Sequence, residues 1–271
     1  MEYKVIKYPD GFHYVQIEKF SRNFTFHINS YSDLWILNQI KDICDFNNQE
    51  VDLFIPNLPD AQADKRFNIN ESSGLKLICQ FINNLNFKSV TVFHPHNSEV
   101  VEALIPKVNI LHNYDFISGV LNKVDNSNLC LMSTDAGGFK PLMKLVDHIN
   151  WSGNTYSASK SRIYEDGKSK LIQQVDKQDF KGEDILIIDD ICVRGGTFIG
   201  LAKILKERNC GKLYLAVSHI TVEILPKELF TLFDCVFTTN SKNLNYMREA
   251  KDHDGMYGTK PNNLQIYKLD E

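Results

Sequence analysis

Residues 185–197 read Ile185-Leu-Ile-Ile-Asp-Asp-Ile-Cys-Val-Arg-Gly-Gly-Thr197: four apolar residues, two carboxylates, then an arginine, two glycines and a threonine. The apolar run Ile185–Ile188 predicts a strand buried on both faces of a parallel sheet. Ligands of open α/β sheets bind just outside the carboxyl ends of the strands, so Asp189 and Asp190 are expected beyond this strand, at a ligand edge. Gly195, Gly196 and Thr197 fall where a helix begins, and free backbone N–H groups there, with the threonine hydroxyl and the helix dipole, suit a phosphate. Carboxylates do not face a phosphate. Their partners are sugar hydroxyls or a divalent cation, and the two halves together describe a phosphorylated ribose. A plainer reading stays open at this point: Asp190 caps the turn and the glycines only make it tight.

Outward from this stretch, runs rich in β-branched and aromatic residues predict further strands at Val51–Ile55, Ser89–Phe93, Leu129–Ser133 and Lys212–His219. Helical spacing intervenes. Leu75, Ile78, Cys79 and Ile82 share one helix face, as do Ile199, Leu201, Ala202 and Leu205. Strands alternating with helices predict an α/β fold with largely parallel sheets. Two such series, 1–112 and 113–271, predict two domains. The polar segment Tyr156–Asp179, with Gly167 and little apolar period, predicts a flexible loop near 156–170 leading to a short strand. Trp35, Trp151 and Leu142–Val146 are expected to pack.

A net charge of −4 over 271 residues and no block of like charge argue against a nucleic-acid partner held by a general basic surface. No apolar run approaches a membrane span, and Met1–Gly11 has no signal-peptide pattern, so no membrane partner and a cytoplasmic location are expected. Six scattered cysteines without CxxC or zinc spacing are expected to be reduced packing residues.

The segment Asp189–Thr197 resembles the ribose-phosphate loop of type I phosphoribosyltransferases and of ribose-phosphate pyrophosphokinases (PRPP synthetases). Five further segments select the latter family. Lys7-Tyr-Pro-Asp-Gly-Phe12 resembles its ATP-site hairpin, and Ile55-Pro56 followed by Asp60–Arg66 a second ATP-side segment. His94-Pro-His96 is similar to the family's Asp-Leu-His, Ser133–Gly138 to its Ser-Pro-Asp-x-Gly-Gly, and Lys160-Ser-Arg162 to the Lys-x-Arg of its catalytic loop. All six occur in the family's order and cover nearly the whole chain. A phosphoribosyltransferase consuming PRPP would share the ribose-phosphate loop without needing the N-terminal half.

The resemblance implies two phosphoribosyltransferase-like domains, the first on the ATP side. It implies Mg2+-dependent transfer of the β,γ-pyrophosphoryl group of ATP to the anomeric hydroxyl of a ribose 5-phosphate unit, releasing AMP. By the same resemblance Lys160, Arg162 and His96 are catalytic, and Asp10, Phe12, Gln62, Asp64, Lys65, Arg66 and His96 bind ATP. Asp189, Asp190, Val193, Arg194, Gly195, Gly196 and Thr197 hold the acceptor, while His96 and Asp135 serve the magnesium. A homo-oligomer is also implied.

Departures from the family pattern are specific. Phe12 stands for a glutamate, Gln62 and Ala63 for Arg-Gln, and His94 for an aspartate. In the ribose-phosphate loop, Val193-Arg194 replace Asp-Thr. The added guanidinium in a phosphate loop raises a larger acceptor, ADP-ribose, which would give ADP-ribose 1-pyrophosphate in NAD salvage, beside ribose 5-phosphate, which would give PRPP. Retention of Lys160, Arg162, His96 and Asp135 argues against a catalytically silent regulatory homologue.

Overall fold

The computed structural model describes residues 1–165, 168–242 and 261–269; the side chains of 162–171 are outside this description. The chain forms two compact units, one built from Met1–His112 with Ser241, Lys242 and Leu269, the other from Asn113–Asn240 with Pro261–Lys268.

The first unit opens with an antiparallel ribbon of β1 (Glu2–Lys7) and β2 (His13–Lys19). Then follow β3 (Asn23–Thr25), α1 (Tyr31–Phe46), β4 (Asp52–Ile55), α2 (Gly74–Leu85), β5 (Ser89–Phe93), α3 (Ser98–Leu104) and β6 (Val108–Leu111). The last four strands form a parallel sheet in the order β3-β4-β5-β6. A capping box starts α1: the Asp33 carboxylate accepts from the Ser30 backbone N–H at 2.8 Å. Its buried Leu37, Ile40 and Cys44 join Leu53, Ile55, Val90 and Val92 of the sheet and Leu75, Ile78 and Ile82 of α2 in one core. Trp35 departs from the packing expected of it. It lies on the outer face of α1 and is 56% exposed, because Leu34 and Leu37 take the inward positions of that turn.

The second unit comprises α4 (Tyr114–Leu121), β7 (Leu129–Ser133), α5 (Ala136–His148), β8 (Thr155–Glu165), β9 (Lys168–Val175), β10 (Asp184–Cys192), α6 (Gly196–Glu207), β11 (Leu213–Ile220), α7 (Lys227–Leu232), β12 (Cys235–Thr239) and β13 (Leu264–Tyr267). Its sheet runs β13-β12-β11-β10-β7-β8-β9, parallel except for the β8/β9 pair. Alternation in β10 divides the core. Ile185 and Ile187 pack with Leu201, Leu205 and Leu229 of α6 and α7, whereas Leu186 and Ile188 pack with Ile117, Leu142 and Leu145 of α4 and α5. Burial on both faces explains the unbroken apolar run.

Two expectations are corrected here. The segment read as a loop near 156–170 lies, over its described residues 156–165 and 168–170, in an antiparallel ribbon whose register pairs Ala158 with Val175 and Lys160 with Gln173. The Ala158–Val175 pair is buried, but Ser159, Lys160 and Ser161 beyond it are exposed, and backbone pairing alone satisfies their polar groups, so this polar sequence carries little strand signal. Asp189 and Asp190 do not follow the strand but lie inside it, since β10 continues to Cys192 and pairs Asp189 with Val217 and Ile191 with His219 of β11. The long partner strand β11, buried along its whole length, extends the ladder past the apolar run.

No helix among the described residues is long and apolar enough to cross a membrane. All six cysteines are free, and five of them are buried.

Candidate active site

In the second unit, the carboxyl ends of β7 and β10 lie side by side, pairing Ile188 with Ser133. This register sets Thr134 beside Asp189, and the Thr134 hydroxyl donates to Asp189 Oδ2 at 2.7 Å. Asp189 Oδ1 accepts the Asp190 backbone N–H at 2.9 Å. Burial, and then the neighbouring Asp190 charge, push the Asp189 carboxyl up to about 8 despite the threonine hydrogen bond. Two carboxylates so crowded favour a cation or hydroxyl donors between or beside them.

Gly195 is the N-cap of α6, with φ +74°, and Gly196 is the first residue of the helix. The left-handed backbone at Gly195 turns the chain from strand to helix, a conformation costly for a residue with Cβ. A Cβ on Gly196 would meet nothing within 4 Å, so the helix N-terminus is open at that point. Val193 and Arg194 are exposed on the same turn. The N–H groups of the first turn of α6, the Thr197 hydroxyl and the helix dipole would suit an anionic group as its cradle.

Lys160 of β8 reaches this cradle: its Nζ donates to Thr197 Oγ1 at 3.3 Å. Arg162 lies two residues further along the same strand, paired with Leu171; its side chain is outside the described residues. Asp135 is the N-cap of α5, its Oδ1 accepting from the Gly138 N–H at 3.0 Å. One of its oxygens is therefore committed to the helix, as the turn-forming reading of that aspartate requires.

In the first unit, Asp10 and Phe12 form the tip of the β1/β2 hairpin. Asp10 Oδ1 accepts the Phe12 N–H at 3.1 Å, and the Phe12 ring is 74% exposed. Gln62, Lys65 and Arg66 are exposed on the segment between β4 and α2, with Asp64 half-buried. Asp64 Oδ2 accepts from Asn97 Nδ2 at 3.1 Å, and Asn97 caps α3 by accepting the Val100 N–H at 3.2 Å. This joins the Asp64 segment to the His94–His96 turn at the end of β5. His94 has φ +35° and its N–H donates to the Leu111 carbonyl at 2.7 Å, while His96 is exposed one residue before the cap.

Sequence reading missed Thr134, Asn97, Tyr31 and Gln173. Tyr31 donates to both oxygens of Asp60, at 2.8 and 3.0 Å, and so holds the start of the Asp64 segment. Thr134 sat inside a quoted motif without a role. Asn97 directly before a helix was a legible cap; Gln173 and Tyr31 carried no signal, because their partners are distant in sequence.

The phosphoribosyl transferase domain model matches residues 109–237. The ribose-phosphate pyrophosphokinase of Saccharolobus solfataricus is 22% identical over 178 residues, 66% of this chain and 60% of that protein. That of Methanobrevibacter smithii is 26% identical over 231 residues, 79% of this chain and 76% of that protein. The fold is similar to that of phosphoribosylpyrophosphate synthetase from Mycobacterium smegmatis, with a TM-score of 0.77 at 14% identity, covering 99% of this chain and 86% of the other. The domain match falls almost wholly in the second unit, and the similarity to ribose-phosphate pyrophosphokinases extends over both units, with a shared α/β architecture.

Proposed function

We propose that the protein transfers the β,γ-pyrophosphoryl group of ATP to the anomeric hydroxyl of a ribose 5-phosphate unit and releases AMP. The observation that carries this reading is the Lys160–Thr197 hydrogen bond, which puts a mobile cation at an anion cradle beside two carboxylates. In the reaction the anomeric oxygen attacks the β-phosphorus, the bond from that phosphorus to the α,β-bridging oxygen breaks, and AMP leaves with that oxygen. The hydroxyl proton passes to solvent or to a carboxylate at the acceptor site.

Gly195, Gly196 and Thr197 bind the sugar phosphate, and Asp189 and Asp190 take the ribose hydroxyls or a cation. Lys160 and Arg162 neutralise charge on the transferring phosphoryl oxygens, which is most of what a protein contributes to such a transfer. Asp10, Phe12, Gln62, Asp64, Lys65, Arg66 and His96 serve the ATP. The donor set of the second unit fits Mg2+, which is held through one or two carboxylates plus substrate phosphates and retained waters: Asp189, Asp190 and the second oxygen of Asp135 are the groups there that would hold it, and His96 of the first unit is assigned to the metal by the resemblance alone. Bound there, it would offset negative charge on the phosphates.

The test supplies ATP and Mg2+ with ribose 5-phosphate or ADP-ribose separately and follows AMP and the phosphorus spectrum of the product. ATP-dependent AMP formation with a sugar-phosphate acceptor is expected. Release of pyrophosphate from PRPP and a base without ATP would favour a transferase instead, and no AMP with either acceptor a regulatory homologue. A second reading of the acceptor rests on Arg194, which is exposed on the turn that forms the cradle: a guanidinium there suits the further phosphate of ADP-ribose.

A further inference from the structure

Gln173 stands directly opposite Lys160 in the β8/β9 ribbon. Opposed residues of an antiparallel pair project from the same face, so the two side chains leave the ribbon together. Both end on Thr197. Lys160 Nζ donates to its hydroxyl at 3.3 Å, and Gln173 Nε2 donates to its backbone carbonyl at 3.0 Å. The other end of the Gln173 amide is equally confined, because a Cβ on Gly200 would overlap Gln173 Oε1. Gly200 lies one helical turn after Gly196, in the interior of α6, where glycine costs roughly 1 kcal/mol relative to alanine. Its absence of a side chain is what lets the amide seat.

We infer that Gln173 is a positioning residue, a latch fastening the Lys160 ribbon to the first turn of α6 so that the ammonium is presented at the acceptor cradle. The inference rests on the activity proposed above for its kinetic consequence, though not for the latch itself. A lysine side chain has four rotatable bonds and three equivalent donors, so by itself it cannot specify where its charge sits. A planar amide bonded to a helix carbonyl and walled by a glycine can. Because the Thr197 carbonyl and hydroxyl belong to one residue, the latch and the cation register on the same part of the cradle.

Two variants of the full-length protein test this from opposite directions. Gln173→Ala removes the donor. Gly200→Ala leaves the donor in place but displaces it, while alanine in a helix interior raises helix propensity. Both are expected to lower kcat for AMP formation about tenfold, the size of one lost hydrogen bond in a positioned group, with the KM for the acceptor unchanged. The double variant should be no worse than either single one, as for two changes acting on one contact. The midpoint of thermal unfolding should hold or rise in Gly200→Ala, which a purely structural strap would not allow. Hydrogen–deuterium exchange on the same proteins reads the latch without turnover: amides of 155–165 and 168–175 should exchange faster in both variants. Faster exchange in a protein that forms no AMP with any acceptor would uphold the latch and defeat the proposed activity. Wild-type kcat and wild-type exchange in both variants would overturn the latch, as would a loss confined to Gln173→Ala that tracks its unfolding midpoint.

Discussion

The Lys160 ammonium donates to the Thr197 hydroxyl across 3.3 Å, from the β8 strand of the ribbon to the first turn of α6. Residues 37 apart in sequence thus bring the only charge of the Lys-x-Arg motif with a described side chain to the cradle of Gly195–Thr197. Lys160→Ala should lower kcat about 10²- to 10³-fold, as loss of a group aimed at developing charge does. Its unfolding midpoint should stay near wild type because the side chain is exposed. Turnover within about threefold of wild type would defeat the assignment.

The two glycines of the cradle should separate stability from binding. Gly195→Ala forces a side chain onto φ +74°, although the Leu229 methyls at 3.5 and 3.6 Å would leave the added carbon room, and the backbone conformation alone should cost about 1–2 kcal/mol. Gly196→Ala meets nothing and should leave the unfolding midpoint unchanged or higher. Its methyl projects where backbone N–H groups must approach an anion, so inorganic phosphate or ribose 5-phosphate should bind more weakly, measured by calorimetry. Equal stabilities for the two variants would contradict the turn geometry.

Arg194→Thr addresses the acceptor. If the guanidinium meets a further phosphate, kcat/KM for ADP-ribose should fall about 10- to 100-fold, the worth of a charge-assisted contact. The value for ribose 5-phosphate should change little. Parallel losses on both acceptors would assign Arg194 to the common part of the substrate.

Asp189 gives the protein an alkaline cost. Burial first, then Asp190, raise its folded-state pKa to about 8 from an ordinary value of 3.8. A carboxyl raised in the folded state is more easily ionised in the unfolded chain, so stability is lost as pH climbs from about 4 to about 8 and levels off above that. In EDTA, Asp189→Asn should therefore gain stability over wild type as pH rises through that window, followed by urea unfolding at several pH values. A constant difference from pH 5 to pH 9 would show that the carboxyl is not raised. Added Mg2+ should release protons near pH 7 from wild type more than from the variant.

A half-buried pair below the ribbon behaves oppositely. Burial disfavours both ions of Lys177 and Glu183, but their mutual hydrogen bond, with Tyr156 and Asn154 as further partners at 2.6 and 2.8 Å, overrides it. Glu183 is held below the usual glutamate range and Lys177 above the usual lysine range. The Glu183 contribution is present at neutral pH and lost as pH falls through its lowered pKa; that of Lys177 persists until strongly alkaline pH. Glu183→Gln should destabilise by about 1–3 kcal/mol at pH 7 and by less in acid. An acid-independent loss would remove the ion pair from this account.

What the sequence by itself determined is what depends on neighbours along the chain. Ile185–Ile188 specify a doubly buried strand because only apolar residues survive helices on both faces, and Gly195 marks a strand-to-helix turn because glycine takes a positive φ at the least cost. The spacing of Leu75, Ile78, Cys79 and Ile82 specifies α2 by the helical period. Where energy comes from partners far away, the chain was silent. Tertiary structure alone decided that β10 runs on through Asp189 and Asp190, since a fully buried β11 supplies the ladder, and that Asp189 is pushed up, since the burial is made by other strands. It alone turned polar residues 156–165 and 168–170 into a ribbon, because backbone pairing does not need an apolar face. And it alone set Lys160 and Gln173 over Thr197, because cross-strand register and a glycine in a helix act together only after the chain has folded.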